Sequence, residues 1–248
     1  MTGTIASTDA ERILSVFDFD GTLTRRDSFL AFLQFAFGTR RCATQMMRLA
    51  PLTLRYLGGR LPRDELKAAL IATFLKDVPV AWLEDKACAF HKACWRRLMR
   101  PAGMRAVAAE LAGGAEVTLC SASPRLILQP FAEALGIKLI GTELEAVDGK
   151  LTGRIRGGNC RGQTKALRLE RAYGALAQYT VRAWGDTRGD HELLSAAQEP
   201  HWRSFHPRWR RPCSNPYPPA GAEMQAGSAT GSIRTNAVDS QHNNPEGA

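Results

Sequence analysis

The sequence predicts an α/β fold in which a parallel β-sheet is built from short apolar strands that end in polar side chains. Three segments support this prediction, at residues 13–17, 116–120 and 179–184. Each is followed directly by Asp, Ser or Gly-Asp, and helical sequence separates them. Such apolar runs are typical of the buried strands of parallel sheets, whose ligands bind beyond the carboxyl ends of the strands.

Length and composition set the limits of this fold. The 248 residues allow one large domain or one domain with an insertion, and the 44% of apolar residues can form a sizeable core. The net charge of +9 favours anionic partners such as phosphorylated metabolites, anionic lipid or nucleic acid. Much of this charge lies in local clusters, which we interpret as solvated helix faces and a basic tail.

The cysteines and the hydropathy pattern indicate a cytoplasmic protein. The six cysteines form no CxxC pair and have no zinc-site spacing, which suits a reducing compartment. Residues 1–12 are polar and lack the apolar centre of a signal peptide. No stretch reaches the ~18 uninterrupted apolar residues of a membrane span.

The first strand leads into two carboxylates, Asp18 and Asp20, before Gly21 and Thr22 allow a tight turn. Side chains at positions i and i+2 point the same way while a strand continues, so these carboxylates lie close together. Neighbouring carboxylates repel each other. Their pairing therefore indicates that a cation or a reaction requires them.

Four helical segments, with no strand between them, are predicted between the first strand and Pro101. The first begins at Asp27 or Ser28, either of which can cap it, and the second spans about 41–57 with a kink at Pro51. The third begins near Pro62, and the fourth ends near residue 99. The second segment combines Met and Leu with several arginines. Packing against its neighbours is the interpretation we favour, and weak contact with a membrane surface remains open.

The second half of the chain returns to strands that end in polar residues. Residues 116–120 lead into Ser121, and Ser123 is expected to cap the helix that follows. Asp-Gly at 148–149, between two alternating segments, predicts a β-hairpin. A loop then delivers Lys165 to the start of a helix, where the helix dipole disfavours a cation unless an anion lies nearby.

The order of four segments resembles that of the haloacid-dehalogenase superfamily, subfamily IB, the phosphoserine-phosphatase-like branch. The segments are Asp18-Phe19-Asp20-Gly21-Thr22-Leu23, the strand ending in Ser121, Lys165 at a helix start, and Gly185-Asp186-Thr187-Arg188-Gly189-Asp190. The resemblance implies a three-layer parallel-sheet core at 12–24 and 100–206, with an inserted four-helix cap at 25–99. Residues 207–248 have the composition of a disordered tail.

The resemblance also implies roles for individual residues in phosphate chemistry. Asp18 is expected to be the nucleophile, and Asp20 the acid that protonates the leaving oxygen and later activates water. Ser121 and Lys165 are expected to bind the phosphoryl oxygens.

A magnesium site is implied at the same edge of the sheet. The expected Mg²⁺ ligands are Asp18, Asp186 and the backbone carbonyl of Asp20. Asp190 is expected to support these ligands without binding the ion itself. Carboxylates and waters are the ligands that Mg²⁺ prefers.

The substrate is less sharply indicated. Asp27 lies nine residues after Asp18, where phosphoserine phosphatases carry a carboxylate that binds the substrate amine. A small amine phosphate, such as phosphoserine or histidinol phosphate, is therefore expected, although Asp27 can equally be a helix cap. A lipid phosphate such as phosphatidylglycerophosphate and a catalytically weak binding protein are the alternatives. No specific nucleic-acid partner is expected, because the basic residues do not alternate with a stacking platform.

Overall fold

The computed structural model describes residues 12–206 and 216–217, and its centre is a six-stranded sheet. The strands are β1 (Ile13–Phe17), β2 (Glu116–Pro124), β3 (Lys138–Val147), β4 (Lys150–Arg156), β5 (Thr180–Gly185) and β6 (Glu199–Trp202). Their order across the sheet is β4-β3-β2-β1-β5-β6. β1 pairs in parallel with both β2 and β5, and β4 runs antiparallel to β3. The predicted α/β class is confirmed.

Helices cover both faces of the sheet, because β1 is apolar on both sides. Leu14 and Val16 belong to one buried cluster, which also contains Leu169 and Leu193. Phe17 belongs to the other. Four helices supply the outer layers: α6 (Pro101–Ala112), α7 (Arg125–Leu135), α8 (Gln163–Tyr173) and α9 (His191–Ala196). The result is a three-layer core with β1 at its centre.

The segment between β1 and α6 is wholly helical in its regular structure, as predicted, but it contains five helices rather than four. These are α1 (Ser28–Phe37), α2 (Thr39–Arg48), α3 (Ala50–Leu57), α4 (Arg63–Leu75) and α5 (Val80–Leu98). The expected second helix is interrupted at Leu49. Pro51 lies in the first turn of α3, where its missing N–H costs no hydrogen bond. Proline therefore starts a new helix here instead of bending one.

The predicted domain boundary, with a cap at 25–99, stays a prediction. The chain enters and leaves this helical unit side by side, through an antiparallel bridge between Thr24 and Met99. Arg25 N donates to Leu98 O at 2.9 Å.

The predicted hairpin joins β3 to β4 and also supports the helical unit. Asp148 and Gly149 have φ angles of 49° and 74°, as a two-residue turn between twisted strands requires. The segment between α4 and α5 pairs with β4: Asp77 N donates to Leu151 O at 2.8 Å, and Leu151 N donates to Val78 O at 2.8 Å. The helical unit therefore rests on the edge of the sheet.

The predicted tail at 207–248 lies outside the described residues, except for positions 216 and 217. In the part of the chain that the structure describes, no helix has the length and apolarity needed to span a membrane.

Phe131 connects the helical unit to the core. It is fully buried on α7, and its ring centroid lies 5.8 Å from Phe90 and 5.9 Å from Trp95, both on α5. It also contacts Phe19, at 5.3 Å, in the turn after β1. One side chain thus packs against the sheet end and the longest helix of the helical unit.

Replacing Phe131 by alanine is expected to lower the free energy of unfolding by about 3–5 kcal/mol, because a cavity forms among aromatic side chains. Urea denaturation followed by circular dichroism measures the change. Leu167→Ala is the control, since Leu167 is 61% exposed, and it should cost less than ~0.5 kcal/mol. Equal effects of the two substitutions would contradict this account of the interface.

Candidate active site

The turn after β1 places the two aspartates at the carboxyl edge of the sheet. Asp18 N donates to Trp184 O at 2.9 Å, which continues the sheet hydrogen bonding by one residue. Gly21 follows with a φ of 88°. A Cβ on Gly21 would lie 2.2 Å from Asp186 Oδ2. Position 21 therefore requires glycine for two reasons: its φ angle is positive, and Asp186 in the loop after β5 lies too close for a Cβ.

Lys165 lies between two buried carboxylates. Its Nζ donates to Asp18 Oδ1 and to Asp190 Oδ1, each at 2.6 Å. Lys165 and Asp190 are each 1% exposed, and Asp18 is 5% exposed. Residues from three separate motifs thus form one charged cluster, at the ends of β1 and β5 and the start of α8.

The burial of these groups alters their proton affinities. Burial raises the pKa of Asp18 well above its usual value, and the nearby Asp190 raises it further, while Lys165 opposes both. Burial alone would lower the pKa of Lys165, but Asp18 and Asp190 raise it well above its usual value. Lys165 is therefore an ammonium ion, held in place by the two carboxylates.

Asp190 organises the loop that follows β5. Its Oδ2 accepts from Thr187 N at 3.0 Å, from Thr187 Oγ1 at 2.8 Å and from Asp186 N at 3.3 Å. Burial alone would raise the pKa of Asp190, but Lys165 and the Thr187 hydrogen bonds hold it below its usual value. Both carboxylate oxygens are thus occupied within the protein, which fits a supporting role.

A divalent cation fits the carboxylate cluster. Asp18, Asp186 and Asp190 each offer an oxygen, and these atoms lie within 4.8 Å of one another. Lys165 balances one of three negative charges, which leaves a deficit that Mg²⁺ matches in charge and in ligand type. Because the oxygens of Asp190 are engaged elsewhere, Asp18 and Asp186 are the better placed donors.

The carboxylate of Asp20 is held by hydrogen bonds from α1 and β2 rather than by Lys165. Its Oδ1 accepts from Ser28 N at 2.6 Å, and its Oδ2 accepts from Ser123 Oγ at 2.5 Å. The prediction that Ser123 caps α7 is wrong: Pro124 precedes that helix, and no side chain caps it. Ser123 instead holds Asp20, because β2 continues to Pro124, four residues beyond the expected end at Cys120.

Ser121 lies where the sequence predicts it, in the last part of β2. It is fully buried, and its Oγ accepts from Ser123 N at 3.1 Å. Its Oγ–H, which rotates freely, can still donate to an anion. Ser121 lines the same cavity as Asp18, Asp20 and Lys165.

This cavity has a volume of about 310 Å³ and is closed on one side by the helical unit. Asp27 lines it, and both interpretations of that residue are visible: its Oδ1 accepts from Leu30 N at 2.9 Å as the cap of α1, and its Oδ2 lies 4.0 Å from Arg63. Asp27, rather than Ser28, is therefore the cap.

The sequence analysis missed three residues of this site. Arg63 and Lys67 of α4 line the cavity, and Lys67 Nζ donates to the carbonyl of Ala122. His206 Nε2 lies 3.3 Å from Asp186 Oδ2. No local signal marks them, since a basic residue on a helix and a His after the last motif are ordinary surface features.

The fold and the site agree with comparisons to known proteins. The sequence model of haloacid dehalogenase-like hydrolases matches residues 15–195. Protein CicA of Caulobacter vibrioides, strains NA1000 / CB15N and ATCC 19089 / CIP 103742 / CB 15, is 42% identical over 197 residues, which cover 79% of this chain and 87% of that protein. The chain belongs to the haloacid dehalogenase-like hydrolase family, and it is an enzyme of that class.

Solved structures agree with this assignment. A protein with unknown function from Bordetella pertussis Tohama I is 28% identical, with a TM-score of 0.67, over 77% of this chain and 89% of that one. A phospho-aspartyl intermediate analogue of phosphoserine phosphatase is 19% identical, with a TM-score of 0.52, over 76% of this chain and 84% of that one. The latter shows a shared fold.

Replacing Lys165 by methionine is expected to lower the free energy of unfolding by about 3–5 kcal/mol, because two buried carboxylates lose their counter-charge. Urea denaturation at pH 7 measures the loss. Lys138→Met is the control: Lys138 also pairs with a carboxylate, that of Glu116, but its side chain is 67% exposed. Lys138→Met should lower the free energy of unfolding by less than ~1 kcal/mol. A Lys165 variant no less stable than the control would be evidence against the buried pair.

Proposed function

We propose that this protein is a Mg²⁺-dependent phosphatase that hydrolyses a phosphomonoester through an aspartyl-phosphate on Asp18. One observation carries the proposal. The buried Asp18, bonded to Lys165 at 2.6 Å, lines the same cavity as Asp20 and Ser121. The proposed nucleophile, acid and two phosphate-binding groups therefore line one cavity.

In the first step an oxygen of Asp18 attacks phosphorus in line with the leaving oxygen. The new bond joins Asp18 to phosphorus, and the ester bond breaks. Asp20 donates its proton to the leaving oxygen. Lys165 and Ser121 hold the phosphoryl oxygens during the transfer, so charge that develops there meets donors already in place.

In the second step water cleaves the aspartyl-phosphate. Asp20, now a carboxylate, takes a proton from the water, whose oxygen attacks phosphorus. The bond to Asp18 breaks, and inorganic phosphate leaves. The hydrogen bonds from Ser28 N and Ser123 Oγ keep the Asp20 carboxyl in one orientation for both proton transfers.

Asp18, Asp186 and the carbonyl of Asp20 are the residues that would hold Mg²⁺. Bound there, the cation offsets the repulsion between these carboxylates and a phosphate dianion. Asp190 would keep the Asp186 loop in position through its hydrogen bonds to Thr187.

We favour a small amine phosphate, of the phosphoserine or histidinol phosphate type, as substrate. Asp27 lines the same cavity as Asp18 and Lys165, and its Oδ2 lies 4.0 Å from Arg63; its carboxylate can pair there with an ammonium group. We also propose a cytoplasmic location, which the free thiols of the five described cysteines support.

A lipid phosphate is the second candidate. The cavity wall includes Leu30, Tyr56, Leu66 and Leu70, which can contact an apolar portion of a substrate. A catalytically weak binding protein is less well supported, since the proposed catalytic and phosphate-binding side chains meet in one cavity. We propose no specific nucleic-acid partner.

Phosphate release measured with Mg²⁺, and again with EDTA, tests the proposal. The panel consists of p-nitrophenyl phosphate, phosphoserine, histidinol phosphate and phosphatidylglycerophosphate. Turnover should require the cation, and Asp18→Asn should lower kcat on the order of 10³-fold or more, since the nucleophile is lost. Asp85→Asn is the control, because Asp85 is exposed on α5. Full activity in Asp18→Asn, or in EDTA, would refute the mechanism.

Asp27→Asn separates the two interpretations of Asp27. Asparagine caps a helix about as well as aspartate, so thermal stability should stay unchanged while the negative charge is lost. We expect kcat/KM for amine phosphates to fall at least about tenfold relative to p-nitrophenyl phosphate, because a charge-assisted hydrogen bond is removed. An unchanged substrate ranking would show that Asp27 is a helix cap alone.

A further inference from the structure

The first half of the helical unit carries positive charge without compensating acids. Between residues 28 and 62 the sequence contains five arginines and no Asp, Glu or Lys. The arginines are Arg40, Arg41, Arg48, Arg55 and Arg60, and all five are exposed. They lie on α2, on α3 and in the turn that follows.

Large apolar side chains are exposed on the same two helices. Met47 and Leu54 are each 68% exposed, and Leu57 is 73% exposed. The inward side of this segment is satisfied by other residues, since Cys42 and Leu49 are buried in the core cluster. α3 has no buried residue. Packing against neighbouring helices thus accounts for the inward residues and leaves Met47, Leu54 and Leu57 unexplained.

The arginines are available for an anionic partner. In the described part of the chain none of the five forms an ion pair. Arg48 donates to Gln45 at 3.4 Å, and Arg41 lies over the Phe37 ring at 5.0 Å. Exposed cations beside exposed aliphatic side chains, without acids, are the composition of helices that lie in a membrane interface.

We propose that α2 and α3, with Arg60, form a docking surface for an anionic lipid bilayer. We call it the basic cap surface. The arginines lie among anionic headgroups, and Met47, Leu54 and Leu57 enter the boundary with the acyl chains. A nucleic acid fits less well, because the exposed apolar residues are aliphatic and offer no ring on which bases could stack.

The surface shares helix α3 with the wall of the cavity. Tyr56 lines that cavity, while its neighbours Arg55 and Leu57 on α3 are exposed. Docking would therefore hold the cavity close to the headgroup layer. The inference does not rest on the proposed function, because binding is measured without turnover.

Co-sedimentation of the full-length protein with vesicles tests the charge requirement. Vesicles of phosphatidylcholine alone are compared with vesicles that also contain phosphatidylglycerol. We expect binding to the anionic vesicles only, and at least about tenfold weaker binding for R48E/R55E, since each basic residue near the surface contributes severalfold. R96E/R97E is the control: it makes the same change in charge at exposed positions of α5, and it should change binding less than about twofold.

The apolar requirement has its own pair of variants. L54S/L57S should weaken binding to anionic vesicles at least about tenfold, because two side chains no longer enter the bilayer. V147S/L167S is the control, since Val147 and Leu167 are 58% and 61% exposed elsewhere. Circular dichroism verifies that each variant is folded.

Four outcomes would overturn the proposal. These are no binding by the unmodified protein, equal losses in R48E/R55E and R96E/R97E, full binding by L54S/L57S, and stronger binding to a single-stranded oligonucleotide than to the vesicles. Equal losses in the two charge variants would indicate attraction by net charge alone. Full binding by L54S/L57S would indicate adsorption without insertion, and stronger binding to the oligonucleotide would indicate a nucleic-acid surface.

Discussion

The interaction on which this structure depends is the ammonium of Lys165 between Asp18 and Asp190. One cation does not balance three buried carboxylates, so the cluster depends on precise geometry, and a divalent cation fits its remaining negative charge. The surrounding backbone is adapted to that geometry. A Cβ at Gly185 would lie 2.6 Å from Asp190 Cβ, and Gly21 is as tightly placed against Asp186. The parallel sheet brings these carboxylates to one edge because β1 and β5 are neighbours.

The helical unit and the core meet at Asp20, in the candidate active site. Asp20 accepts hydrogen bonds from the start of α1 and from the end of β2, so the orientation of the proposed acid depends on both. Phe131, which packs on Phe19 between the two aspartates, and the β3–β4 hairpin also hold these two parts together. The cavity is lined by residues of both parts, so both would contact a molecule bound in it.

The charge of the protein has two separate locations with different consequences. In the site, Lys165 is buried and paired, and it acts on the groups that it touches. On α2 and α3 the arginines are exposed without ion pairs among the described residues, so they act at longer range on anionic partners. The basic cap surface and the cavity are adjacent through Tyr56. A partner that binds the surface therefore contacts a helix that also lines the cavity.

The sequence by itself determined the α/β class, the positions of Asp18, Ser121, Lys165 and Asp186 at element ends, and the β-hairpin. These follow from local patterns: apolar strands, glycine turns and helix starts. Tertiary structure decided what local patterns do not contain. Ser123 contacts Asp20 across 103 positions, His206 reaches Asp186, and Lys67 enters the cavity, because sheet order and helix packing bring distant segments together. The division of the second helix at Leu49 and the exposure of Leu54 and Leu57 likewise depend on which neighbours each side chain meets.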